Sequence, residues 1–336
     1  MANKSKNRIK FFDCTRALCM LYIIALWHMP EYIKGFSIVS PYTEIVTKGV
    51  LGTFTFISAY FLGKRPINKK SDVLDFYKRR LLRLYPLFFL SCTSLLAIHY
   101  LFHVDFILGV KQYNLTLVGL SVIILPAPKT VWYVSMIILF YILTPLFNYL
   151  KTPIKQFLCF ITVMLPLIVM HYTLGLVDTR VLINFPVFFA GLFLSNRLNM
   201  TDRPDWRAYL IGIPLFGLGF WLSLVIGSIA LAVVAVIGFI MLALEIGKLF
   251  AHIVFIHKVL SFISVGSMVA YLFHRQFFGV VEKLTGHFSI LAAYLIVLPV
   301  LLAISYGVQI FYDKILNAIL KGISKKRTDN NCTRKN

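Results

Sequence analysis

Phe11–Glu31 reads FFDCTRALCMLYIIALWHMPE, a run long and apolar enough for a membrane helix that nonetheless carries Asp13, Arg16 and His28. Asp13 and Arg16 stand three residues apart and therefore share a helix face. His28 lies twelve residues past Arg16, about 18 Å along the axis at 1.5 Å per residue. The hydrocarbon layer of a bilayer is about 30 Å thick, so this one helix brings polar groups near both of its faces. Eleven apolar residues follow Arg16, and a cation in such a run turns to a bundle interior or a wet cavity rather than to lipid. The stretch thus calls for neighbouring helices.

Composition supplies them. Of 336 residues, 59% are apolar and only 14% charged, and the mean hydropathy is +0.81, which excludes an ordinary soluble domain. Nine further apolar spans are expected at about 45–63, 82–102, 131–150, 156–176, 181–196, 208–225, 228–247, 260–280 and 288–311. The chain therefore reads as all-α, a polytopic membrane bundle of about ten transmembrane helices. Leu115–Pro126 is too short to cross and is expected as a re-entrant or surface helix.

The net charge of +21 would suggest nucleic acid in a soluble chain, but here the distribution of the charge is what matters. Eight Lys and Arg lie between Lys64 and Arg83 and seven follow Asp313, against seven on the whole opposite face of the ten-span layout. That bias places both termini in the cytosol and assigns the protein no nucleic-acid partner. The basic N-terminus resembles the start of a secretory signal, but Asp13, Arg16 and the lack of a small-x-small site near Pro30 favour a retained span. Residues 1–313 are expected to form one transmembrane domain, and 314–336 a basic, disordered cytosolic tail. The five cysteines show no disulfide or metal spacing, so no metal site is expected.

The densest charge lies in KRPINKKSDVLDFYKRRLLRLYP, Lys64–Pro86. On composition alone the favoured reading is an anchor against anionic headgroups. Arg79, Arg80 and Arg83 nevertheless open the third span, with Arg80 and Arg83 one helical turn apart. Fixed guanidinium pairs suit bidentate grip on phosphates.

These residues carry a family resemblance. The order is an acidic residue, an arginine three later and a histidine near the end of span one (Asp13, Arg16, His28). Two arginines three apart, then tyrosine and proline, open span three (Arg80, Arg83, Tyr85, Pro86). Trp132 and Tyr133 head a later span, and YLFH, with Tyr271 and His274, stands in the penultimate one. In these motifs, over nearly its whole length, the chain resembles the acyltransferase-3 family of integral membrane acyltransferases. It departs at Ser58–Ala59, where the family usually has Ser-Gly, and at Asp313–Lys314, where an acidic residue and proline often close the last span.

The resemblance implies a membrane-embedded O-acyltransferase, most commonly an O-acetyltransferase, of the cell inner (cytoplasmic) membrane. It would move an acyl group from cytosolic acyl-CoA to a hydroxyl of a cell-envelope sugar or polysaccharide. Acetyl-CoA would be a co-substrate, and no bound cofactor is implied. Acyl transfer needs a base for the hydroxyl, donors for the oxyanion and a docked donor. From the residues alone His28 is better read as an interfacial histidine among belt aromatics; the resemblance favours it as the catalytic base. Arg16, Arg79, Arg80 and Arg83 are expected to hold the acyl-CoA phosphates, with Asp13 orienting an arginine. Ser58, Tyr133 and Tyr271 are supporting residues. Trp132 reads as belt aromatic or as a stacking face for sugar, and His274 takes a secondary role. His99, His103 and His171, near outer ends of spans, are weaker candidates, and His252, His257 and His287 read as solvated. Direct transfer and an acyl-histidine relay both fit. The alternative from another class is a transporter of an anionic or lipid-linked solute, with the arginines on the cargo; a non-catalytic assembly subunit is a third reading.

Overall fold

The computed structural model describes residues 9–102, 109–124, 127–128 and 130–333, the side chains only as far as 322; His103 and Pro126 lie outside the described residues. The chain is an all-α polytopic helical bundle. Its elements are α1 (Lys10–Tyr32), α2 (Pro41–Gly63), α3 (Lys70–Phe102), α4 (Val110–Leu117), α5 (Trp132–Tyr149), α6 (Pro153–Leu174), α7 (Thr179–Leu194), α8 (Trp206–Ile226), α9 (Ile229–His252), α10 (Val254–Thr285) and α11 (Ile290–Gly322). All of these except α4 and α7 are long and apolar enough to cross a membrane, nine among the described residues.

Contacts at its ends show that the sixteen-residue α7 runs between the same two rims. Asp178, its N-cap, donates its backbone N–H to the Val122 carbonyl at one rim, and Asn196, just past its C-terminus, donates to the Gly63 carbonyl at the other. Among the described residues ten segments therefore connect the rims, in agreement with the hydropathy reading. The short helix expected at Leu115–Pro126 is displaced toward the N-terminus, to α4, and the residues after it turn along the rim. Ser121 donates to Ser135, and Ser135 to the Thr116 carbonyl, which ties this segment to the head of α5.

Hydropathy marks where a helix enters lipid, not where it starts, and two starts differ accordingly. α3 begins at Lys70 rather than near 82, because nothing between Lys70 and Arg83 breaks a helix. Its 33 residues span about 50 Å at 1.5 Å per residue, so Lys78, Arg79, Arg80 and Arg83 ride on a rigid extension of the span. α10 likewise starts at Val254 rather than near 260. The tail after Asp313, expected as disordered, continues α11 as helical backbone to Thr333.

α1 and α2 are the most buried spans, whereas α6 has no fully buried residue and meets the bundle through half-buried side chains such as Phe160, stacked 4.5 Å from Phe189. The departure at Ala59 is absorbed across the interface. Gly191 of α7 sits where any Cβ would come within 2.7 Å of the Ala59 Cβ and of the Phe56 carbonyl, so the space a glycine would give is supplied by the partner helix.

The middle of α1 is a π-helix, Tyr22–His28, leading into a 3₁₀ turn over Met29–Tyr32. In that register Ala25 O would accept from residue 30, which is proline and has no N–H. The Tyr294 hydroxyl of α11 donates to this carbonyl instead, at 2.8 Å. The same device recurs at Pro86, whose missing N–H frees Leu82 O; Tyr312 donates to it at 2.6 Å. Two tyrosines of α11 thus close two proline gaps in α1 and α3. Tyr294→Phe, which leaves the first carbonyl without a donor, is expected to lower stability by about 1 kcal/mol. Unfolding in detergent reads this directly, and an unchanged midpoint would show that the bond contributes nothing.

Candidate functional site

A cavity of about 1180 Å³ opens between α1, α2, α3, α5, α10 and α11. Its mouth carries Arg16, Lys64, Arg65, Arg79, Arg80 and Arg83, with Asp13, Asp72, Asp75 and Asp313 among them. Deeper in, the walls become Met20, Phe54, Ile137, Tyr133 and Tyr271. The helical extension of α3 sets this up, since Phe76 and Arg80, and Arg79 and Arg83, are four residues apart and turn toward the same side of the helix.

Cations outnumber anions around the mouth, and the effect is visible at Arg65 in the connection between α2 and α3. Burial lowers its pKa from the usual guanidinium range, and the like charges of Arg79 and Arg83 lower it further. Arg80 is held between rings, its guanidinium carbon 6.0 Å from the Phe76 centroid and 5.8 Å from that of Tyr141. Its Nε is buried with no hydrogen-bond partner among the described residues. A half-buried cation with a buried spare donor beside other cations is a site for an anion. Arg16 donates from Nη2 to Ser267 Oγ, and Ser264 donates to Asp13 Oδ1, so α10 holds both Asp13 and Arg16.

Eight of the residues singled out in the sequence therefore meet in one cavity: Asp13, Arg16, Ser58, Arg79, Arg80, Arg83, Tyr133 and Tyr271. His28, His274 and Trp132 do not line it. Tyr133 and Tyr271, both in the cavity lining, stand edge to face at 5.7 Å. Tyr133 shares a hydrogen bond with Thr55, which donates to Asn184, and Tyr271 donates to the Thr130 carbonyl. The far side of Tyr271 belongs to the histidines, for its ring centroid is 6.0 Å from that of His274. One side chain thus borders both the cavity and the histidine group.

Beyond Tyr271 the imidazoles of His28 and His274 lie 4.8 Å apart, centroid to centroid. Arg275 Nη2 is 2.7 Å from His28 Nδ1 and 2.8 Å from Glu31 Oε1. His28 Nδ1 is also 3.4 Å from Glu31 Oε1. His274 donates from Nδ1 to the Tyr271 carbonyl at 2.8 Å. His28 and His274 are buried, whereas the Glu31 side chain is 39% exposed and opens the group toward the rim opposite the arginines. The expectation that His28 lies near that rim is met, but its partners Arg275 and Glu31 were given no role. An arginine deep in a span, and a carboxylate three residues after a histidine, were the available signals.

Trp132, read as a belt aromatic or as a stacking face for sugar, is instead buried, with the Arg180 guanidinium 4.0 Å from its ring centroid. Arg180 pairs with Asp178, Nε to Oδ1 at 2.8 Å, and so is fixed over the indole. Among the remaining histidines, His171 bonds the Val177 carbonyl, His252 the Asp202 carbonyl, His257 Ser261 and His287 Glu282. Among the described residues no group of three or more His, Cys, Asp or Glu is placed to hold a metal ion.

A family model described as an acyltransferase domain, of the acyltransferase-3 family, matches residues 9–310. The chain belongs to the acyltransferase-3 family. No match is found among the curated proteins or the solved structures. As an acyltransferase-3 protein it is a membrane acyltransferase, and the matched span contains every residue of the cavity and of the histidine group except Asp313.

Proposed function

We propose that this acyltransferase-3 protein moves an acyl group, most simply acetyl, from cytosolic acyl-CoA to a hydroxyl of a cell-envelope sugar or polysaccharide, from the cell inner membrane. The observation that carries the reading is a cavity with a cationic mouth whose lining includes Tyr271, the ring next to the His28–His274 pair. The excess of Lys and Arg puts the cationic rim in the cytosol, where acyl-CoA is made. Arg16, Arg65, Arg79, Arg80 and Arg83 hold the nucleotide phosphates, and Asp13 with Ser264 and Ser267 positions Arg16. The thinner acyl-bearing arm follows the cavity inward to the tyrosines. An acceptor hydroxyl meets the imidazoles from the other face, past Glu31.

In this arrangement neither substrate crosses the membrane; only the acyl group changes sides. Purified protein in lipid nanodiscs, supplied with radiolabelled acetyl-CoA and the host's surface glycan, should release free CoA thiol and place label on the glycan. Thiol that stays acylated under every acceptor tried would sink the proposal. Flux of an intact solute through proteoliposomes, with the thioester uncleaved, would favour a transporter.

A further inference from the structure

The hydrogen bonds around the two imidazoles assign each its tautomer, and the assignments are opposite. A carbonyl oxygen only accepts, so His274 Nδ1, 2.8 Å from the Tyr271 carbonyl, carries the hydrogen. The lone pair of His274 is therefore on Nε2, an atom that is buried and has no partner among the described residues. A guanidinium only donates, so His28 Nδ1, 2.7 Å from Arg275 Nη2, carries the lone pair, and the hydrogen of the neutral ring is on Nε2. Glu31 cannot reverse this while Arg275 stays, because its Oε1 is 3.4 Å from the same nitrogen and is itself satisfied by Arg275 at 2.8 Å.

Resting on the acyl-transfer reading above, we propose that His274 is the proton acceptor of the reaction, and that His28 is the hydrogen-bond donor to the carbonyl oxygen under attack. The hydroxyl oxygen of the acceptor bonds to the thioester carbon while its proton passes to His274 Nε2. The carbon–sulfur bond then breaks, and the sulfur leaves with the electron pair and takes that proton, so ester and free thiol form with nothing left over. His28 Nε2–H stabilises the negative oxygen in between, and the Arg275 charge behind it strengthens the donor. Arg275 is a positioning residue, acting through His28. The charged and titratable neighbours of the pair are Glu31, Arg275, Tyr271 and Tyr32.

The test has two arms. In the first, ¹⁵N spectra of the histidine-labelled protein, assigned by comparison with His28→Gln and His274→Gln, should show hydrogen on Nδ1 of His274 and on Nε2 of His28 in the absence of substrate. In the second, His274→Gln has no base and should lose about a thousandfold in kcat, whereas His28→Gln keeps an N–H and should stay within about a hundredfold. A hydrogen found on Nε2 of His274, or the opposite order of losses, overturns the assignment and leaves the acyl-transfer reading standing. If the unaltered protein cleaves no acyl-CoA at all, that reading fails and takes the roles with it.

Discussion

Arg80→Ala should leave a folded, membrane-inserted protein whose kcat/KM for acyl-CoA is lower by about 30- to 1000-fold, a cost of about 2–4 kcal/mol. The size follows from the surroundings. Arg80 is packed between Phe76 and Tyr141, with a buried Nε that no described residue satisfies, so a phosphate there is gripped away from bulk water. Arg79 and Arg83, by contrast, are exposed, and their single alanine variants should cost less than tenfold. The loss belongs in KM, since the anchor is made before and during reaction alike. Arg80→Lys tests geometry separately from charge, because an ammonium has no planar fork and should recover little. Saturation kinetics with acetyl-CoA decide the matter: wild-type KM in Arg80→Ala would remove this arginine from the phosphate site.

Arg275→Met should have the opposite signature, kcat down by about a hundredfold or more with KM for acyl-CoA unchanged. Without its guanidinium the nearest polar atom to His28 Nδ1 is Glu31 Oε1, an acceptor at 3.4 Å. The hydrogen of His28 then moves to Nδ1, and Nε2 no longer donates. The spectrum of His28 should change while that of His274 does not. Stability should change little, because Glu31 is 39% exposed and water can take over its solvation once Arg275 is gone. Variants with normal kcat, or with a raised KM alone, would show that Arg275 has no part in setting the imidazole.

Much of this architecture was legible in the residues because lipid leaves few options. A span must be apolar for most of its length, and ten such runs could be counted. The parity was readable too, since the stretch at Leu115–Pro126 is too short to cross and its described part, to Ile124, does run along a rim. The cationic half of the site was readable from spacing, as Arg80 and Arg83 on a continuous helix must share a face.

The other half was not. Arg275 reaches His28 across 247 residues of sequence, and no local pattern reports that contact. The π-helix over Tyr22–His28 also defeats helical-wheel reasoning, because it changes the turn that precedes the histidine from the regular step of about 100° per residue. Trp132 misled for a related reason. An aromatic at a span head looks like a belt residue until the guanidinium of Arg180, itself pinned by Asp178, is seen to cover it.

The tyrosines between the cavity and the histidines bear on the energetics of the host as well as on chemistry. A water column running from the arginines to Glu31 would short-circuit the electrochemical gradient across the membrane, dissipating about 2.3 kcal/mol for each charge that leaked through 100 mV. Tyr133 and Tyr271, half-buried and tethered to Thr55 and Thr130, set two aromatic rings between the arginines and the histidines. Tyr133→Ala with Tyr271→Ala is therefore the pair of substitutions expected to raise ion leakage across proteoliposomes, and unchanged leakage would show that the rings take no part in insulation.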